Sequence, residues 1–216
     1  AGISTSFFIN NLKLKPKSNI YLIGSENLHK TLKDNTNDLI FHGLEDNNKT
    51  LNTFSKNKDE LELLKSEIKK NKYSAVVVGW DNQFNTYKLA KACAILKYQK
   101  KCKFISTNND YATPFSEDLI MPANGSIVSS IELSSGIKSI CVGKPSKELG
   151  DIIINKYKLN PDKTVMIGDR IDSDLYFGRI NKFKTCILLS GVTNLNMINE
   201  LHDKPKYIGL NIESLI

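Results

Sequence analysis

Short apolar runs alternate with stretches of helical periodicity along the whole chain, and this alternation restricts the fold to one built of βα units. Ile20-Tyr21-Leu22-Ile23-Gly24, Leu39-Ile40-Phe41 and Ala75-Val76-Val77-Val78-Gly79 present no polar face, as strands of a parallel sheet covered on both sides require, and Lys103–Ser106 reads as a fourth strand. Between them Leu61, Leu64 and Ile68 recur at helical spacing behind Asp59 and Glu60, acidic residues suited to a helix N-terminus. Leu89, Ala92, Cys93 and Leu96 form an i, i+3, i+4, i+7 stripe that predicts a helix from about Thr86 to Tyr98, and Ile127, Val128 and Ile131 mark another. Further strands are expected at 139–142, 164–167, 185–189 and 206–210. The intervening helices are one with Leu149, Ile152, Ile153 and Tyr157 on its buried stripe and others near 174–180 and 195–201. Lys15-Pro16-Lys17 and Ser134-Ser135-Gly136 are hinge candidates, and the Asn/Lys-rich stretch 47–58 reads as a solvated loop. The fold class is α/β, a doubly wound parallel sheet.

Composition narrows the function. A chain of 216 residues can bury a core without staples, and 40% hydrophobic with 25% charged residues is the usage of an ordinary soluble domain. No run of 18 apolar residues appears, so a helical membrane span is not expected. The opening Ala1-Gly2-Ile3-Ser4 has neither an initiator Met nor the basic region of a signal peptide. Cys93, Cys102, Cys141 and Cys186 form no Cys-x-x-Cys pair, so reduced thiols and a cytoplasmic location are expected. The net charge of +7 invites a nucleic-acid reading, yet Arg170 and Arg179 are the only arginines among 30 basic residues. A DNA reader keeps Arg for bidentate phosphate and guanine contacts, so no nucleic-acid partner is expected, and most of the lysines read as solvated helical faces.

Open parallel sheets bind ligands beyond the carboxyl ends of their strands. There, after the strand expected at 164–167, comes Gly168-Asp169-Arg170-Ile171-Asp172-Ser173-Asp174, three carboxylates within six residues. Clustered carboxylates at a strand end suit a hard cation such as Mg²⁺. The competing reading is that Asp172 or Asp174 caps the next helix. After the strand expected at 139–142 comes Gly143-Lys144-Pro145-Ser146, a Lys ahead of a Pro suited to the first helical position. An ammonium at a helix N-terminus suits a phosphate, the alternative being a surface Lys beside an ordinary Pro. This is no P-loop, because six residues rather than four separate Gly136 from Gly143 and Pro145 stands where Ser or Thr would bind the metal.

Together, Gly-Lys-Pro-Ser followed by Gly-Asp-Arg-Ile-Asp-Ser-Asp resembles the third and fourth motifs of the haloacid-dehalogenase (HAD) superfamily of phosphatases. The chain is similar to the branch of 4-nitrophenylphosphatase, phosphoglycolate phosphatase and pyridoxal phosphate phosphatase. Val76–Asp81 with Phe84 and Tyr87-Lys88-Leu89, then Thr107-Asn108-Asn109-Asp110 with Pro114, match that branch's large α/β cap. The resemblance implies a Rossmannoid parallel-sheet core, present only in part at 1–17 and 136–216, with an inserted cap at 18–135.

The resemblance also implies roles. Lys144 would neutralise the nucleophilic carboxylate and the transferring phosphoryl group, Asp169 would ligate Mg²⁺, and Asp174 would hold metal-bound water or Lys144. Ser173 stands where Thr is usual. Thr107, Asn108 and Asp110 match a loop near the substrate entrance, and a plain turn after a strand explains them equally well. The departure is the family's Asp-x-Asp-Gly segment, whose first Asp attacks phosphorus and whose second is the general acid: it is absent from this sequence, as is the second-motif Ser or Thr. Asp172-Ser173-Asp174 cannot serve, since Leu175 follows where Gly would. The expectation is a Mg²⁺-dependent phosphomonoesterase of small phosphorylated metabolites whose nucleophile lies upstream, this segment alone being inactive. A homodimer through the cap is a possible assembly. The rival is a non-catalytic remnant that uses the cap for dimerisation or binding.

Overall fold

The computed structural model describes residues 2–51, 58–114 and 119–215, with the side chains of 58–60, 113 and 114 left aside. Its contacts divide the chain into two units, Ala1–Gly143 and Lys144–Ile216. In the first unit the elements run α1 (Gly2–Asn11), β1 (Asn19–Ile23), α2 (Glu26–Asn35), β2 (Ile40–His42), α3 (Lys58–Lys70), β3 (Tyr73–Val78), α4 (Thr86–Tyr98) and β4 (Lys103–Ser106). They continue with β5 (Ala112–Pro114), β6 (Ile120–Pro122), α5 (Asn124–Ser135) and β7 (Ile140–Cys141). Five strands pair in parallel in the order β2-β1-β3-β4-β7, and β5 with β6 forms an antiparallel pair.

Alternation along the strands feeds two cores. Ile20, Leu22, Ala75, Val77, Ile105 and Val142 pack with Ile9 of α1 and Leu32 of α2 on one face. Tyr21, Ile23, Val76, Val78 and Phe104 pack with α3, α4 and α5 on the other. The pairing of β1 with β3 shifts register between Asn19 and Ile20, skipping Ser74, which puts Tyr73 on the same face as Val76.

By contacts, residues 2–17 and 136–143 lie in the first unit: α1 packs on α2, and β7 hydrogen-bonds to β4 as its edge strand. Not all the lysines are solvated. Lys88 and Lys91 lie on the buried face of α4 with Ala92 and Ile95, offset by one position from the expected Leu89 stripe. Lys88 Nζ reaches Asp81 Oδ2 at 2.5 Å and Asn47 Oδ1 at 2.6 Å. Lys91 Nζ reaches Asp46 Oδ2 at 2.8 Å and Glu67 Oε1 at 2.5 Å, while the Tyr21 hydroxyl donates to Asp46 Oδ2 at 3.0 Å. These contacts lock the turn after β2 onto α4. The expected loop 47–58 falls largely outside the described residues, as do the side chains of Asp59 and Glu60.

The second unit runs α6 (Lys147–Tyr157), β8 (Val165–Gly168), α7 (Tyr176–Ile180), β9 (Lys184–Leu188), α8 (Leu195–Asn199) and β10 (Tyr207–Gly209). Its three strands pair in parallel in the order β10-β9-β8. The core is small: Leu175, Ile187 and Ile198 with partly buried Ile171, Leu189 and Leu201. Tyr157, expected on the buried stripe of α6, is exposed. Val165 and Ile167 on β8 are 40% and 41% exposed, a high value for apolar residues of a parallel strand. No helix among the described residues is long and apolar enough to cross a membrane.

Candidate functional site

The carboxyl end of β8 builds the second unit's polar centre. Immediately after Gly168 the chain enters a wide π-helical turn, Ile171–Leu175, in which the N–H groups of Asp174 and Leu175 both donate to the Arg170 carbonyl at 3.0 Å. The extra residue in such a turn swings Asp174 back under the strand end, where it is buried. Gly168 is obligatory for this fold-back, because a Cβ there would run into the Asp174 side chain. Asp174 Oδ2 accepts the N–H groups of Asp169 and Arg170, each at 3.1 Å, and Oδ1 takes Lys144 Nζ at 2.5 Å. Lys144 and Asp174, from two separate motifs, are thus joined in one ion pair, with the Lys side chain 45% exposed and the Asp 5%.

Asp169 is held by a second segment. Its Oδ2 accepts the Val192 N–H at 3.0 Å, its carbonyl accepts the Thr193 N–H at 3.1 Å, and a Cβ on Gly191 would collide with its carboxylate. Sequence reading missed this clamp of 191–193, which follows β9 and carries no charge to flag it. Asp172 points elsewhere: Arg170 Nε and Nη2 grip it at 3.0 and 2.6 Å, and that pairing holds its carboxyl below the usual range. Pro145 does not open a helix. Ser146 is the N-cap of α6, its hydroxyl accepting the Leu149 N–H at 3.0 Å, so Pro145 and Lys144 precede the cap.

Hard carboxylate oxygens suit Mg²⁺, and Asp169 brings a carboxylate to this strand end, whereas both oxygens of Asp174 are engaged by Lys144 and the 169–170 amides. Among the described residues, however, no group of three His, Cys, Asp or Glu side chains is gathered to hold a metal ion. The residues present would make up only part of the oxygen set that Mg²⁺ takes.

In the first unit Thr107, Asn108 and Asp110 form the loop after β4. Thr107 Oγ1 donates to Asn108 Oδ1 at 3.0 Å, and Asn108 Nδ2 to Asp110 Oδ2 at 2.8 Å. Thr107 is buried, whereas Asn108 and Asp110 are partly exposed. The structure therefore leaves two of the three able to meet a ligand directly.

Residues 141–215, which carry this arrangement, match the family described as HAD-hydrolase-like. The resemblance read from the motifs is borne out, down to the branch. Glycerol-3-phosphate phosphatase of Rattus norvegicus is 36% identical over 121 residues, 56% of this chain and 37% of that protein. Phosphoglycolate phosphatase 1A, chloroplastic, of Arabidopsis thaliana is 35% identical over 60% of this chain and 36% of its own length. The chain thus matches well under half the length of these curated relatives. Among solved structures, the 4-nitrophenylphosphatase of Thermotoga maritima has a TM-score of 0.73 and 25% identity, covering 99% of this chain and 69% of that one. At 20% identity, a glycerol phosphate phosphatase of Mycobacterium tuberculosis, solved in complex with magnesium, shares the fold: TM-score 0.74, 99% of this chain and 56% of that one.

Proposed function

We propose that this chain is the cap and the C-terminal part of the core of a Mg²⁺-dependent phosphomonoesterase that hydrolyses small phosphorylated metabolites through an aspartyl-phosphate intermediate. The observation that carries the reading is the Lys144–Asp174 pair at 2.5 Å, with the Asp169 backbone tied to the same carboxylate. Lys144 keeps one positive charge at a strand end where an anionic ester and an attacking carboxylate would meet. Neutralising that repulsion and fixing the geometry is the main task of a phosphoryl-transfer site. Asp174 accepts the ammonium and two amides, so its role is to aim Lys144 and the 169–170 backbone. Asp169, clamped by 191–193, would hold Mg²⁺, which when bound supplies electrophilic stabilisation of the phosphoryl oxygens. The nucleophilic Asp and the acid belong to an Asp-x-Asp-Gly segment preceding residue 1. Substrates of the size of glycerol 3-phosphate and 2-phosphoglycolate fit the relatives, and a homodimer through the cap and a cytoplasmic location accompany the reading.

The test is hydrolysis of 4-nitrophenyl phosphate and 2-phosphoglycolate with Mg²⁺. Residues 1–216 alone are expected to be inactive and a protein extended with its upstream segment active. In that protein Lys144→Ala and Asp169→Asn should each remove most of the turnover, the second with weakened Mg²⁺ dependence. Turnover by 1–216 alone would refute the missing nucleophile, and an inert extended protein would favour the binding-module alternative.

A further inference from the structure

The first turn of α5 is moulded to the loop after β4. Ala123, the N-cap, makes no side-chain capping bond, so the helix must place its unpaired donors elsewhere. The Ala123 N–H donates to the Tyr111 carbonyl at 2.9 Å, the Gly125 N–H to the Asp110 carbonyl at 2.8 Å, and Ser126 Oγ to the Tyr111 carbonyl at 3.2 Å. Asn124, 2% exposed, donates through Nδ2 to the Asn108 carbonyl at 2.7 Å, with the Val78 carbonyl at 3.3 Å and Thr107 Oγ1 at 3.5 Å. Its Oδ1 is buried without a partner among the described residues. Gly125 has no space for a Cβ, which would strike the Asn109 and Asp110 carbonyls. Four successive residues therefore grip the backbone at 108, 110 and 111, while the side chains of Asn108 and Asp110 remain partly exposed.

We infer that Asn124 and Gly125 are positioning residues that fix the Asn108–Asp110 pair and so set which small phosphate ester the cap admits. The inference rests on the proposed function and on loop 107–110 meeting the substrate. A one-ångström displacement of a positioned group can cost up to about a hundredfold in rate, and losing one buried hydrogen bond corresponds to about tenfold.

The experiment uses the protein extended with its upstream segment and compares 2-phosphoglycolate with 4-nitrophenyl phosphate. Asn124→Asp keeps the shape and removes the donor. It is expected to raise KM for 2-phosphoglycolate about tenfold, with a smaller fall in kcat and a changed ratio of kcat/KM between the two esters. Faster hydrogen exchange at the Ala123 and Gly125 amides should accompany it, with β1 and β3 unaltered. If Asn124→Asp does not fold, Asn124→Ser, which keeps a hydroxyl donor of shorter reach, carries the same measurements. Loosened amides with unchanged KM and ratio, while Asn108→Ala or Asp110→Ala shifts them, would overturn the role of Asn124. Were Asn108→Ala and Asp110→Ala also silent in an active enzyme, the loop would not meet substrate and the inference would fall with it. An inactive extended protein would defeat the proposed function itself.

Discussion

Replacing Lys91 by Met should unfold the first unit at markedly lower temperature. The Lys91 ammonium is fully buried between Asp46, also fully buried, and Glu67, and lies 4.8 Å from the centre of the Tyr21 ring. Methionine fills most of the volume but leaves Asp46 with only the Tyr21 hydroxyl and Lys49, whose Nζ is 2.6 Å from Oδ1. Removing one partner of a buried pair costs about 3–5 kcal/mol, and the two surviving contacts place this case near the lower end, about 3 kcal/mol. For a protein of this size that corresponds to a fall in Tm of roughly 6–12 °C by calorimetry. Lys147→Met, which breaks the exposed Lys147–Asp151 pair, is the control and should leave Tm within error. The pH dependence has a definite sign. Burial alone would raise the Asp46 pKa, but the ammonium groups of Lys49 and Lys91 beside it outweigh burial and hold it low. That stability is complete above the ordinary Asp range and lost as pH falls through the depressed value. Burial would lower Lys91, yet Asp46 and Glu67 raise it, so its contribution is complete below the ordinary Lys range and lost as pH rises through the raised value. Lys91→Met should therefore move acid unfolding to higher pH and weaken the alkaline limb. A loss under about 1 kcal/mol, the yield of a surface pair, would refute the claim that this cluster is dry.

Gly168→Ala should destabilise the second unit by about 1–3 kcal/mol, since its Cβ and the Asp174 side chain would claim the same space; an unchanged melting transition would show that the fold-back of Asp174 is not obligatory. In hydrogen exchange of isolated 1–216, β8 should be less protected than β1 and β3, because it pairs only with β9 among the described residues and exposes Val165 and Ile167; equal protection would show that its free edge and exposed face carry no penalty.

What the sequence made legible follows from the range of the interactions involved. The parallel strands and α4 emerged from periodicity because each apolar run carries its own burial pattern, and the Gly-Asp-Arg-Ile-Asp-Ser-Asp and Gly-Lys-Pro-Ser segments stood out because charge gathers there within a few residues. The burial of Lys88 and Lys91 escapes a reading by charge for a physical reason: a lysine on a helix is solvated unless a carboxylate from elsewhere meets it, and Asp46 lies 45 positions from Lys91. The signal was present, since Lys88, Lys91, Ala92 and Ile95 themselves keep i, i+3, i+4, i+7 spacing. The short pair β5–β6 depends on partners rather than on its own pattern, since three residues have no period to read; the strand expected at 139–142 is present as β7, but its pairing with Ile105 and Ser106 of β4 lies in no local pattern.

The same distinction orders the candidate site. Lys144, Asp169 and Asp174 announce themselves by charge, but a charged group does chemistry only when its direction is fixed, and what fixes it here is uncharged. Gly168 yields space to Asp174, Gly191 yields space to Asp169, and the Val192 and Thr193 amides hold that carboxylate and its carbonyl. In the first unit Asn124 and Gly125 do the equivalent for the loop of Asn108 and Asp110. These residues are small or neutral because they must approach a backbone closely, and glycine or a single amide is what such an approach permits. Residues that aim a site are therefore hidden from a reading based on charge and period, and become visible only where a missing Cβ or a backbone donor is seen against its acceptor.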